Sequence, residues 1–195
     1  RSTCGVFWAA VRSFYRANYE PLMAKSPSIW PAKMYKVPNK EEMLRIWEAC
    51  DPRIRLWLLC QKDSGISESD LIDVNRESPS TVYGTVGDQL KSGQVPIHIT
   101  VMRGKVKQAG HYDTYFGEES YNALQGVSGE RFFGLAVRTV RAYLPRYARK
   151  AGIKGPRVTP HCIRKYFNTR MKLGNVNEAI VEYMMGHKLG RVKSA

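Results

Sequence analysis

The stretch that decides the fold is Thr159-Pro160-His161-Cys162-Ile163-Arg164, with Met185-Gly186-His187 further along the chain. Threonine is a favoured N-cap and proline suits the first helical position, so we expect a helix to begin here. His161 and Arg164, three residues apart, would share one face of that helix. Gly186 can end a helix predicted over 177–185 and fold His187 back onto the same face. Two imidazoles and a guanidinium are suited to phosphoryl transfer.

The composition indicates a basic protein with one well-packed domain and a small appendage. The chain has 195 residues, of which 43% are hydrophobic. Lysine and arginine total 31 against 17 acidic residues, which gives a net charge of +14. Such an excess is typical of proteins that bind a polyanion, and nucleic acid is the commonest one. No run approaches the roughly 18 apolar residues of a membrane span and no signal peptide is visible, so we expect a cytoplasmic protein. The charge excess favours its association with nucleic acid.

The cysteines and histidines do not predict a metal site. The cysteines have neither zinc-finger spacing nor the density of a disulfide scaffold, so we expect free thiols in or near the core. They are Cys4, Cys50, Cys60 and Cys162. The histidines have no cysteine or acidic partner at ligand spacing beside them. They are His98, His111, His161 and His187. We therefore expect no metal and no cofactor.

Periodicity predicts a mostly helical α+β protein with one antiparallel hairpin. Apolar residues alternate over 95–103 and aromatic residues fill 111–116, so these segments should pair, with a basic tip between them. Asn39, with Glu42 three residues later, should cap a helix. The other helices are expected over 7–15, 55–60, 69–74, 118–124, 132–149, 160–173 and 177–185. Prolines at 27, 31 and 38 suggest an extended connector before residue 39.

The order His-x-x-Arg, apolar helix, Gly-His resembles the second half of the active site of tyrosine recombinases, the phage-integrase family, closest to archaeal and viral integrases. The resemblance runs from about Lys36 to Ala195. It implies that 39–195 is a recombinase catalytic domain, with a small hairpin and a helical C-terminal half. Residues 1–38 would be the end of a core-binding segment plus a linker. It also implies DNA integration by cleavage and rejoining of double-stranded DNA through a 3′-phosphotyrosyl intermediate, by dimers or tetramers of the protein.

The resemblance assigns roles to particular residues. Arg164 matches the second catalytic arginine, His161 its paired histidine, and His187 a later position that donates to the scissile phosphate. The lysine that protonates the departing 5′-hydroxyl would be Lys107, counted from the second strand, or Lys105, counted from the first. The expected contacts with DNA are Arg103, Lys105, Lys107, Arg138, Arg141 and Lys165.

Two departures from the family pattern are visible. The segment Ser64-Gly65-Ile66-Ser67-Glu68-Ser69-Asp70-Leu71 resembles the family's Thr-Gly-Leu-Arg-x-Ser-Glu-Leu box, but Ser67 fills the slot of the first catalytic arginine. Three explanations of the missing arginine are open. Another basic residue such as Lys62 occupies the slot, or Ser67 is an introduced substitution, or the protein binds DNA without cutting it well. The resemblance places the nucleophilic tyrosine at position 196, one residue past Ala195. We therefore expect the chain as given to be inactive by itself, and Tyr183, which precedes His187 on a helix, to be a packing residue rather than the nucleophile.

Two other functions fit the same residues. The first is a catalytically degenerate DNA-binding protein on the same scaffold, which keeps a basic cleft and loses strand cleavage through Ser67. The second, more distant, is a basic RNA-binding module in which His161 and Arg164 are incidental.

Overall fold

The computed structural model describes residues 3–19, 35–102 and 110–187. The chain divides into two compact units, Arg1–Met34 and Tyr35–Ala195. In the first unit, helix α1 (Thr3–Asn18) confirms the predicted N-terminal helix. The second unit includes Tyr35 to Pro38, which the sequence assigned to the linker, and the assignment of functions to the two segments stays a prediction. Within the described residues no helix is long and apolar enough to cross a membrane.

The second unit opens with two helices whose caps are written in the sequence. Asn39 and Glu42 form the predicted capping box of α2 (Lys40–Ala49): the Glu42 amide donates to Asn39 Oδ1 at 2.8 Å. Asp51 caps α3 (Pro52–Ser64) by accepting from the Arg53 amide at 3.0 Å. Helix α3 ends at Gly65, whose φ of 64° lies in the left-handed region. A short helix, α4 (Glu68–Asp73), follows at once.

Strands form two small antiparallel pairs. Strand β1 (Pro79–Ser80) pairs with β2 (Gly84–Thr85), and helix α5 (Val86–Ser92) follows. The predicted hairpin is confirmed as β3 (Ile97–Met102) and β4 (His111–Phe116), which pair from Ile97 opposite Phe116 to Met102 opposite His111. Residues 103–109 between these strands lie outside the described residues.

Four helices make up the C-terminal half: α6 (Glu118–Gln125), α7 (Val137–Lys150), α8 (Pro160–Leu173) and α9 (Glu178–Met184). The prediction that α7 begins at Phe132 is wrong. Phe132 and Phe133 are buried in an irregular segment, where the Arg76 guanidinium lies 5.4 Å from the Phe132 ring centroid. Neighbouring Arg131 forms an isolated β-bridge with Asn75, so tertiary packing replaces the first helical turns. The mostly helical α+β class is confirmed.

The core surrounds α3, against which α8 packs. Trp57 and Cys60 of α3 and Ile163 of α8 are fully buried. Cys50, Cys60 and Cys162 are free and buried, as predicted, and Cys4 lies where no side chain is described. Burial raises the pKa of the Cys50 thiol to about 12. These thiols are therefore core residues rather than nucleophiles.

Candidate active site

The first turn of α8 positions the histidine and arginine of the decisive stretch. Thr159 is extended, with φ −129° and ψ 166°, and Pro160 occupies the first turn, as predicted. The Cys162 Sγ lies 3.2 Å from both the amide nitrogen and Oγ1 of Thr159, which closes the cap. His161 is exposed, whereas Arg164 retains only 7% of its accessible surface. The same helical turn thus directs the His161 ring outward and the Arg164 guanidinium inward.

Arg164 joins three segments of the chain. Its Nη1 donates to the Gly65 carbonyl at 2.9 Å, and its Nη2 donates to the Met185 carbonyl. The same Nη2 lies 3.0 Å from His187 Nε2. Gly65 is required here, because a Cβ at this position would lie 2.4 Å from the Phe167 ring. Arg164 therefore fixes the end of α3, the end of α9 and His187 around one guanidinium.

His187 returns to α8 by a turn at the end of α9. Gly186 has φ 63°, and its amide donates to the Tyr183 carbonyl at 2.7 Å. The His187 Nδ1 lies 2.5 Å from Glu182 Oε2. A carboxylate at that distance favours the tautomer with the proton on Nδ1, so Nε2 of the neutral ring accepts from Arg164. The predicted meeting of His187 and Arg164 is present, and the donor role toward a phosphate stays a prediction.

His161 lies in a field of opposing charges. Burial lowers the pKa of its imidazole, and the positive charges of Lys165 and Arg164 lower it further, while Glu68 opposes them. The ring of Tyr35 meets His161 edge-on, with centroids 6.1 Å apart. The lowered pKa favours the neutral imidazole, which is the form that can accept a proton as a general base.

Ser67 has a structural role at the position where tyrosine recombinases, which the sequence resembles, have an arginine. It is the N-cap of α4, where its Oγ accepts from the Asp70 amide at 3.3 Å. Lys62, the sequence's candidate for a replacement cation, is instead held by Asp63 at 2.6 Å and Glu119 at 2.8 Å. Asp70 accepts from the Tyr112 hydroxyl at 3.2 Å.

The predicted DNA contacts divide into two sets. Arg103, Lys105 and Lys107 lie outside the described residues, so the choice between the two lysines stays open. The other three are exposed on two helices: Arg138 and Arg141 on α7 and Lys165 on α8.

Tyr183 serves as more than packing. Its hydroxyl donates to Asp113 Oδ2 at 2.6 Å, and Thr100 Oγ1 donates to Asp113 Oδ1, also at 2.6 Å. His98 Nε2 lies 3.4 Å from the same Oδ1. The bond to Asp113 raises the pKa of the Tyr183 phenol, which disfavours it as a nucleophile. Asp113 thereby ties the hairpin to α9, the helix that leads to His187.

Sequence reasoning missed two carboxylates of this site. Glu182 lies five residues before His187, a spacing that a glycine turn at a helix end could have suggested. Glu68 receives hydrogen bonds from Nε and Nη2 of Arg141, the first at 3.0 Å. These two residues are 73 positions apart, so no local pattern could have paired them. Within the described ranges, no group of three or more His, Cys, Asp or Glu residues could hold a metal ion.

Comparisons with known proteins find tyrosine recombinases that are similar to this chain. The tyrosine recombinase XerA of Thermococcus onnurineus strain NA1 is 28% identical over 187 residues, which cover 91% of this chain and 64% of that protein. Its namesake from Pyrococcus furiosus is 27% identical over 191 residues, covering 91% and 63%. No protein-family model matches the chain. The chain is thus similar to tyrosine recombinases over nearly all of its length.

Solved recombinase structures share the fold. A crystal structure of XerA recombinase matches with a TM-score of 0.62 at 20% identity, over 96% of this chain and 69% of that one. A lambda integrase tetramer bound to a Holliday junction matches with a TM-score of 0.67 at 14% identity, over 95% and 57%. The chain spans a little under two thirds of the length of the curated recombinases it matches.

Proposed function

We propose that this chain is part of a tyrosine recombinase and carries the phosphate-binding part of an active site that cuts and rejoins DNA at specific sites. The observation that supports it best is the cluster of Arg164, His187 and His161 at the first turn of α8. Arg164 has a fixed position and a permanent charge, so it can stabilise negative charge that grows on a phosphate oxygen in the transition state.

In the proposed reaction a tyrosine attacks a DNA phosphate. Its oxygen bonds to phosphorus as the bond to the 5′-oxygen breaks, which gives a 3′-phosphotyrosyl link and a free 5′-hydroxyl once a proton reaches the leaving oxygen. Lys105 or Lys107 would deliver that proton, and His161 would accept the proton that the attacking tyrosine loses. The tyrosine is expected at position 196. Attack by a 5′-hydroxyl of a partner strand reverses these steps and conserves the bond energy.

The proposed partners are double-stranded DNA and further copies of the protein. The net charge of +14 favours a polyanion. Solved relatives include a lambda integrase dimer bound to a core site and the tetramer on a Holliday junction. Exchange between two duplexes requires more than one active site, so self-assembly on DNA follows from the proposed reaction.

One observation favours a second candidate, a DNA-binding protein that no longer cuts. Ser67 supplies a helix cap rather than a cation, and Lys62 is held by two carboxylates elsewhere. Loss of a transition-state donor of this kind costs on the order of 10²-fold or more in rate. This candidate predicts salt-sensitive DNA binding without covalent attachment.

A trapping experiment separates the two candidates. The full-length protein is incubated with nicked duplex fragments of its source genome, since a nick near the cut lets the short 5′-hydroxyl piece diffuse away and the adduct accumulate. Denaturing gels and sequencing of protein-linked fragments then report attachment and the site. We expect an adduct from the unmodified protein and from Lys150→Gln, a change on the exposed end of α7, and none from Arg164→Lys. DNA binding without any adduct would favour the second candidate, and absence of both would refute the two together.

A further inference from the structure

We infer that Arg141 is the second guanidinium that binds the scissile phosphate, in place of an arginine at position 67. The inference rests on the proposed function and names a residue for it. It starts from the ion pair between Arg141 of α7 and Glu68, the first residue of α4. Because Glu68 follows Ser67 directly, this pair brings a guanidinium to the slot that Ser67 leaves without a cation.

The slot at Ser67 belongs to the same site as Arg164. Arg164 donates to the carbonyl of Gly65, two residues before Ser67. Glu68 also acts electrostatically on the His161 ring, which places its carboxylate near the first turn of α8. One hydrogen bond and one electrostatic interaction therefore connect the 65–68 segment with the residues that would hold the phosphate.

The backbone of Arg141 is fixed toward the same end of α8. Arg157, three residues before Pro160, donates from Nη2 to the Arg141 carbonyl at 3.0 Å. Helix α7 thus reaches the segment that leads into the first turn of α8. Arg141 is anchored at its backbone by this bond and at its side chain by Glu68.

The geometry of the Arg141 guanidinium leaves donors for a phosphate. An arginine has five N–H donors, and the bonds to Glu68 use Nε and Nη2 on one edge. The Nη1 edge remains for a second anion, and the Arg141 side chain keeps 61% of its accessible surface. Glu68 is then a positioning residue that orients the guanidinium. Arg141 can bind the carboxylate on one edge and a phosphate on the other at the same time.

Other described basic residues near the slot fit this task less well. Lys62 is held by Asp63 and Glu119. Lys165 lies beside His161 on α8, but a lysine is a point charge without the two parallel donors that a phosphate oxygen pair accepts. Arg141 combines exposure, a fixed backbone and an oriented fork.

The test measures single-turnover attachment of the full-length protein to the nicked DNA recovered by trapping. Arg141→Gln should lower the attachment rate by about 10²-fold, whereas duplex affinity should fall by no more than about tenfold. The matched control is Lys150→Gln, which removes one charge from the opposite face of the same helix and should change the rate by less than about threefold. Arg141→Lys should fall between them, because it keeps the charge and loses the fork.

A second-site variant tests the assignment to the slot at position 67. Ser67→Arg should recover at least about tenfold of the rate lost in Arg141→Gln, and it should raise the rate of the unmodified protein by less than about threefold. Melting curves of each variant confirm that it is folded.

Each outcome decides the inference. An Arg141→Gln rate within about threefold of the unmodified rate overturns it, while an adduct still lost in Arg164→Lys leaves the proposed function standing. A tenfold gain from Ser67→Arg alone, or a folded double variant without recovery, shows that Arg141 does not fill the slot. Absence of any adduct from the unmodified protein refutes the proposed function and this inference with it.

Discussion

Replacing Arg164 by alanine should destabilise the fold as well as abolish the chemistry. The guanidinium is the buried donor to two carbonyl groups, those of Gly65 and Met185. Each carbonyl left without a partner costs about 1–3 kcal/mol, so the free energy of unfolding should fall by about 2–6 kcal/mol. For a chain of this size, each kcal/mol lowers Tm by about 2–4 °C, which gives a fall of roughly 5–20 °C.

Thermal and urea unfolding followed by circular dichroism measure this loss. The matched control is Lys165→Ala, the exposed neighbour on α8, which should change stability by no more than about 0.5 kcal/mol. Cleavage by the Arg164 variant is then measured at a temperature where it is folded, and it should still fall by orders of magnitude. A loss below about 1 kcal/mol would refute the view that Arg164 joins the three segments.

Three further outcomes follow from the site. Glu182→Gln should slow covalent attachment by about tenfold and leave DNA affinity unchanged, because the His187 ring loses its carboxylate partner. The control Glu178→Gln, which removes an exposed ion pair with Lys172, should leave the attachment rate unchanged. Imidazole NMR of the DNA-free protein should place the pKa of His161 below 6.5, and removing the charge of Lys165 should raise it. Because the pKa of His161 is lower in the folded state, its neutral ring stabilises the fold fully at pH values above the unfolded pKa, and this stabilisation is lost as pH falls through the folded pKa. A measured His161 pKa above 6.5 would contradict the effect assigned to burial and to the neighbouring positive charges. Affinity for duplex DNA should fall as salt rises, and the logarithm of the binding constant plotted against the logarithm of the salt concentration should have a slope of about −0.9 per phosphate contacted. A salt-insensitive affinity would refute the hypothesis that the protein binds DNA.

Local chemistry made much of the fold predictable. The Asn39 and Glu42 capping box, Thr159 before Pro160 and the left-handed Gly186 are each readable from a few neighbouring residues. The hairpin was predictable because alternation and aromatic content are also short-range patterns. At these three helix ends the backbone groups find partners within three residues.

The errors and omissions come from longer distances. The helix predicted over 132–149 begins only at Val137, because the bridge between Asn75 and Arg131 takes the preceding segment into another structure. The contact of Tyr183 with Asp113 spans 70 positions, and the pair of Glu68 and Arg141 spans 73. Such side-chain partners depend on how helices and strands pack, and a single sequence carries no pairwise signal for them.

Stability and reactivity meet in one residue of this site. Arg164 is held by carbonyls of Gly65 and Met185, which lie in segments that reach α8 only when the whole second unit has folded. The conformational entropy of fixing the guanidinium is therefore lost during folding and need not be lost again when DNA binds. Arg141, by contrast, is exposed and positioned by the carboxylate of Glu68 alone among its side-chain contacts in the described part of the chain. Under the proposed function, the buried Arg164 would keep a fixed position, while the exposed Arg141 could adapt to a phosphate that changes geometry during transfer.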